Sequence, residues 1–140
     1  MYPYHSTSCG GYYTEEGSIL SSPGFPGVYA HSVYCIYDVV APEENVITLT
    51  FDFFDVQGVD NSGVNYCYYD YVEVRDGNAI TSPLLAKKCG PQTPQPIQGT
   101  QQFMWILFKT DASINGDGWR AMISFDEVGP CGGVLTERKK

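Results

Sequence analysis

Cys67-Tyr68-Tyr69-Asp70-Tyr71-Val72-Glu73-Val74-Arg75-Asp76-Gly77 is the stretch whose reading decides the fold. From Tyr69 onward it alternates, with Tyr69, Tyr71 and Glu73 on one parity and Asp70, Val72 and Val74 on the other. A period of two in β-prone side chains specifies a strand. Asp76-Gly77-Asn78 ends it with residues that tolerate positive φ. Asp70 shares the valine face where the strand begins, and a carboxylate there needs a cation or hydrogen-bond donors to offset its desolvation.

The same period recurs on both sides of this stretch. Residues 46–54 place Val46, Thr48, Thr50 and Asp52 on one face and Ile47, Leu49, Phe51 and Phe53 on the other. Residues 33–40 read as a strand carrying Cys35, and residues 119–125 alternate again. Phe103-Met104-Trp105-Ile106-Leu107-Phe108 is an unbroken apolar run, too short for a helix without flanking periodicity, and reads as a strand buried on both faces. Tyr12 and Tyr13 form an edge strand, while residues 17–23 and 83–88 add two short ones. Pro23-Gly24-Phe25-Pro26-Gly27, residues 55–66, the proline-bearing residues 91–100 and residues 110–118 read as loops. Nothing sustains a 3.6-residue period. The chain is therefore expected to be all-β, an antiparallel two-sheet jelly-roll sandwich.

A chain of 140 residues with 43% hydrophobic and 17% charged side chains suits one globular domain with a short remainder. The formal charge of −8, from sixteen acids against eight bases, excludes nucleic acid as an expected partner, because phosphate needs clustered Lys and Arg. It suits a basic partner, a metal cation, or solubility alone. No apolar run is long enough to insert into a membrane. Met1-Tyr2-Pro3-Tyr4-His5 has neither the basic region nor the apolar core of a secretion signal.

The cysteines stand at 9, 35, 67, 89 and 131, with no Cys-x-x-Cys pair and no histidine at zinc spacing. Disulfides formed in an oxidising compartment are the expected use. Spacing leaves the connectivity open, with one cysteine over. Cys131-Gly132-Gly133 repeats the Cys9-Gly10-Gly11 opening after a Gly129-Pro130 linker signal. The echo suggests a domain at 9–127, followed at 128–140 by a linker and the start of a second copy holding the partner of Cys131. A free or intermolecular thiol is the rival reading.

At this point the sequence resembles the CUB domain, an extracellular β-sandwich module of longer secreted and cell-surface proteins. The resemblance runs from Cys9 to about Phe125. It is carried by Cys9-Gly10-Gly11, Gly17 with Ile19, Ser22-Pro23, Pro26 with Tyr29, Cys35, Leu49 with Phe51 and Phe54, the Cys67-to-Gly77 stretch, Cys89-Gly90, Phe108, Thr110-Asp111-Ala112-Ser113 and Gly118-Trp119-Arg120-Ala121. It implies consecutive disulfides, Cys9–Cys35 and Cys67–Cys89. It also implies calcium at one end of the sandwich, held by a glutamate after the long strand and by two aspartates, with a supporting tyrosine and a loop oxygen. Asp70 and Asp111 match the aspartates, Tyr29 the tyrosine and Ser113 the loop oxygen.

Gln57 stands where the glutamate belongs, so calcium is expected to bind weakly, with Asp60 or Asp55 restoring the missing charge. The plainer alternative is a cation-free end, where backbone N–H groups or Tyr29 hold Asp70 and Asp111 caps its own turn.

The resemblance further implies that Tyr29, Asp70 and Asp111 capture a basic side chain of an extracellular partner protein. Arg75 reads as a solvated strand-end charge. Tyr66, Tyr68 and Tyr69 suit carbohydrate stacking, as in the spermadhesins, or else cover the core. An enzyme is not expected. His5 and His31 fall in a lead-in and a loop, no Gly-x-Ser-x-Gly elbow is present, and Asp70 with Asp111 as an acid–base pair would lack a long cleft. The expected role is a non-catalytic recognition module, secreted or on the cell surface and continuous with further domains.

Overall fold

Nine strands form among the described residues: β1 (Gly11–Tyr13), β2 (Ile19–Ser21), β3 (Tyr34–Val40), β4 (Asn45–Asp55), β5 (Tyr71–Asp76), β6 (Leu84–Lys88), β7 (Ile97–Gln98), β8 (Phe103–Lys109) and β9 (Gly118–Glu127). The computed structural model describes residues 9–57, 67, 69–111 and 116–128. A five-stranded sheet in the order β1-β3-β8-β5-β6 faces a four-stranded one in the order β2-β9-β4-β7. Among the described residues there is no helix, and so none long and apolar enough to cross a membrane.

The inward faces follow the expected parity. Val72 and Val74 of β5, Ile47, Leu49 and Phe51 of β4, and Ala121, Ile123 and Phe125 of β9 are buried. Trp119 fills the centre, its ring edge-on to Tyr37 at 5.3 Å, Phe51 at 5.8 Å and Phe108 at 5.9 Å. The Tyr37 hydroxyl crosses between the sheets to donate to the Ser21 carbonyl at 2.6 Å. β8 is buried along both faces, as its apolar run requires, with Met104 to Phe108 all inaccessible or nearly so. Cys9 pairs with Cys35 and Cys67 with Cys89, at sequence separations of 26 and 22, as the resemblance implies.

The two-sheet sandwich stands as expected, with one refinement at its edge, and three finer expectations need correction. The sandwich is not wholly antiparallel, since β1 runs parallel to β3, pairing Gly11 with Tyr37 through Tyr13 with Val39. Residues 91–100 are not all loop, since Ile97 and Gln98 pair with Leu49 and Thr48 of β4. The β4 ladder slips between Phe51 and Phe53 against β9. A bulge of this kind moves later residues to the opposite face, so Phe54 is buried and Phe53 is 38% exposed. Lastly, Arg75 is not a solvated charge. Its Nε donates to Glu73 Oε2 at 2.7 Å and its Nη1 to the Ser82 carbonyl at 2.9 Å.

Candidate functional site

The parity that buries Val72 and Val74 also carries Asp70 inward, and its side chain is fully buried just before β5. Donors from two other segments satisfy it. Oδ2 accepts from the Tyr29 hydroxyl at 2.6 Å, and Oδ1 accepts from the Asp111 backbone N–H at 2.8 Å. The Tyr29 oxygen in turn accepts from the Gln57 N–H at 3.0 Å, while the Asp70 N–H donates to the Gln57 carbonyl at 3.2 Å. Residues from the β2–β3 connection, the end of β4, the start of β5 and the end of β8 therefore converge at one end of the sandwich.

Each member is placed by its own packing. The Tyr29 ring stands edge-on to Phe108 at 5.1 Å, and its backbone N–H donates to the Gly116 carbonyl at 3.3 Å. A Cβ on Gly116 would fall 2.5 Å from the Asp55 carbonyl oxygen, so only glycine fits between Asp55 and the tyrosine. Thr110 fixes Asp111. Its N–H donates to the Val33 carbonyl at 3.0 Å, and its hydroxyl accepts from the Val33 N–H at 2.7 Å while donating to the Ala30 carbonyl at 3.1 Å. The Asp111 carbonyl then accepts from the Ser32 N–H at 2.7 Å. The second disulfide is tied in through Val56 and Gly90, which exchange backbone bonds of 3.0 and 2.6 Å.

Burial pushes the Asp70 carboxyl above its ordinary value, and the nearby Asp111 charge adds to the rise. The Tyr29 hydroxyl and Asp111 amide oppose it by bonding the ionised form. Burial, followed by the bond to Asp70, raises the Tyr29 phenol strongly, so it remains a donor at physiological pH.

The structure thus brings together Tyr29, Gln57, Asp70 and Asp111 of the expected set. Gln57 takes part through both of its backbone groups, a role that no reading of its side chain indicates. Asp55 lies beside the site, its Oδ2 accepting from the Asp117 N–H at 3.3 Å. Asp60, Ser113, Tyr66, Tyr68, His5 and Cys131 lie outside the described residues, whereas His31 is exposed and Tyr69 is 39% exposed. Among the described residues no group of three or more His, Cys, Asp and Glu is disposed to hold a metal. Sequence reasoning missed the positioning roles of Ser32, Thr110 and Gly116. Thr110 had a signal, standing inside the quoted Thr110-Asp111-Ala112-Ser113 motif.

Fold and rim together define a disulfide-braced β-sandwich module with a buried acidic residue at its loop end. The sequence matches the CUB domain family over residues 9–123, and the chain belongs to that family. It is 37% identical to cubilin of Rattus norvegicus over 138 residues, covering 96% of this chain and 4% of cubilin. It is 36% identical to tolloid-like protein 2 of Mus musculus over 120 residues, covering 86% of this chain and 11% of that one. The chain therefore spans a small fraction of these relatives. Among solved structures, the MASP-1 CUB2 domain bound to Ca2+ superposes with a TM-score of 0.72 at 30% identity, over 84% of this chain and 99% of that one.

Proposed function

We propose that the domain is a non-catalytic, extracellular protein-recognition module. The end bearing Tyr29, Asp70 and Asp111 receives a basic side chain of a partner protein, with calcium assisting. The carrying observation is the buried Asp70 carboxylate, whose proton affinity is raised by burial and by the adjacent Asp111 charge. A buried carboxylate with a second, partly exposed acid beside it attracts a cation, whether a metal ion or an ammonium group.

The donors present fit calcium in part. Asp70 and Asp111 provide two carboxylates, and each Asp70 oxygen accepts one described hydrogen bond while retaining a second lone pair. Calcium favours about six to eight oxygens. Gln57 brings no charge, so weak binding follows, with Asp60 and Ser113 as the proposed further ligands. When bound, calcium would supply the charge that offsets the repulsion between the two aspartates. Tyr29 orients Asp70, and Thr110 and Ser32 orient Asp111. The similarity to a CUB domain bound to calcium supports this reading. The two disulfides support an oxidising, extracellular setting.

Calorimetric melts of wild type and Asp111→Ala, with chelator and with calcium, test the proposal. Calcium should raise the wild-type midpoint and leave Asp111→Ala where chelator leaves it. Failure of calcium to move either protein ends the metal part. Oligolysine binding that Asp111→Ala abolishes supports the basic-contact part, whereas binding to immobilised neutral glycans in its place points to a spermadhesin-like module.

A further inference from the structure

We infer that β6 and the recess beside the Cys67–Cys89 disulfide form a second binding site, for an extended acidic segment of a partner protein. Four of the five basic residues in the described chain, Arg75, Lys87, Lys88 and Lys109, lie on β5, β6 and β8, although the net charge is −8. The two described arginines are neutralised by carboxylates, Arg75 by Glu73 and Arg120 by Asp52, both at 2.7 Å. Among the described residues no carboxylate forms an ion pair with Lys87, Lys88 or Lys109. In a chain this rich in acids, three unneutralised lysines on adjoining strands make a local positive strip.

The strip has shape as well as charge. Lys109 pairs across the sheet with Tyr71, and the Lys87 ammonium stands 4.2 Å above the Tyr71 ring centroid, so an aromatic surface fixes this lysine in place. Lys87, Lys88, Thr93 and the disulfide line a recess of about 270 Å³. β6 is also the outer strand of its sheet, pairing only with β5 among the described residues. An outer strand presents backbone N–H and C=O groups that an incoming extended segment can pair with, as alternate side chains reach flanking pockets.

An acidic peptide suits these features better than a sulfated glycan. It uses the strand edge as well as the lysines. A short segment also needs only the local charge, within about 8 Å at physiological salt, whereas a long polyanion meets the acidic remainder of the surface.

The experiment measures fluorescence anisotropy of a labelled oligoglutamate peptide, with NMR amide mapping and with a heparin oligosaccharide as comparison. Oligoglutamate should bind without calcium, weaken with added salt and perturb amides of residues 84–88. The double variant Lys87→Glu, Lys88→Glu should lose about tenfold or more in affinity. Both side chains are exposed, and an unchanged thermal melt confirms that the variant folds. Perturbation at residues 84–88, with the amides of Tyr29, Asp70 and Asp111 unmoved, separates the site from the calcium end. Equal binding by the double variant, perturbation confined to other strands, or preference for the heparin oligosaccharide overturns the inference.

Discussion

Replacing Tyr29 by phenylalanine isolates the contact on which the acidic end is built. The ring keeps its edge-on packing against Phe108 at 5.1 Å, so the change removes one oxygen and creates almost no cavity. That oxygen donates to Asp70 Oδ2 at 2.6 Å and accepts from the Gln57 N–H at 3.0 Å. A hydrogen bond to an ionised, buried acceptor contributes roughly 1.5–3 kcal/mol, and a stranded backbone donor costs about 1 kcal/mol more. The expected loss is about 3 kcal/mol, or roughly 10 °C in midpoint for a domain of this size. Urea denaturation should show a lower midpoint at constant slope.

The pH dependence of this loss has a definite sign. The Tyr29 bond holds the Asp70 carboxyl below the value that burial and Asp111 would otherwise set. Tyr29→Phe should therefore raise that carboxyl further, which carboxyl NMR titration reads directly. Asp70 already binds its proton more tightly folded than unfolded. Its contribution to stability is then fully present below the unfolded value and is lost as pH rises through the window up to the raised folded one. The gap between wild type and Tyr29→Phe should narrow on acidification through the folded value, because a protonated carboxyl is the poorer acceptor. A variant within about 0.5 kcal/mol of wild type at neutral pH, or an Asp70 that titrates lower, refutes the reasoning.

Two further outcomes test the frame. Phe54→Ala should cost about 3–5 kcal/mol and Phe53→Ala under about 1.5 kcal/mol, since the β4 bulge puts only the former in the core; chemical denaturation giving equal losses would deny the bulge. Replacing Cys67 and Cys89 together by serine should cost about 3 kcal/mol for a loop of 22 residues' separation, and a Cys9–Cys35 bridge still intact by mass spectrometry should accompany the loss.

Much of the sandwich was legible because alternation is a direct consequence of strand geometry. The burial of Val72, Val74, Ile47 and Leu49 follows from it, while the unbroken apolar run of β8 marked a strand buried on both faces. What escaped are features to which alternation is blind. Nothing local to Tyr12 and Tyr13 says whether β1 runs with or against β3, since both directions place alternate side chains alike. The slip after Phe51 leaves Phe53 and Phe54 chemically identical, and only pairing with β9 decides which is buried. Ile97, a lone apolar residue after Pro96, offers too short a run to signal a strand. At the site, Asp70 was readable from its parity, whereas Tyr29 and Asp111 came through family resemblance. Gln57 acts through its backbone, where residue type carries no information.

Two buried aspartates flank β5, Asp70 just before it and Asp76 at its end. The two share a parity. Asp76 is closed off by Thr100, whose N–H donates to Oδ1 at 2.9 Å and whose hydroxyl donates to Oδ2 at 2.6 Å. Gly99 packs so tightly against it that a Cβ there would come within 2.7 Å of Oδ1. Asp70 likewise receives one hydroxyl and one amide, and these alone would suffice for a structural carboxylate. Yet the residue donating the amide is itself an aspartate, whose charge adds to the burial that raises Asp70. A sandwich that needed only an anchored strand would place a neutral residue there, as it does at Thr100. Under the proposed function, the added acid at the Asp70 end is what a bound cation would offset, and the Asp76 end, closed by a neutral threonine, makes no such demand.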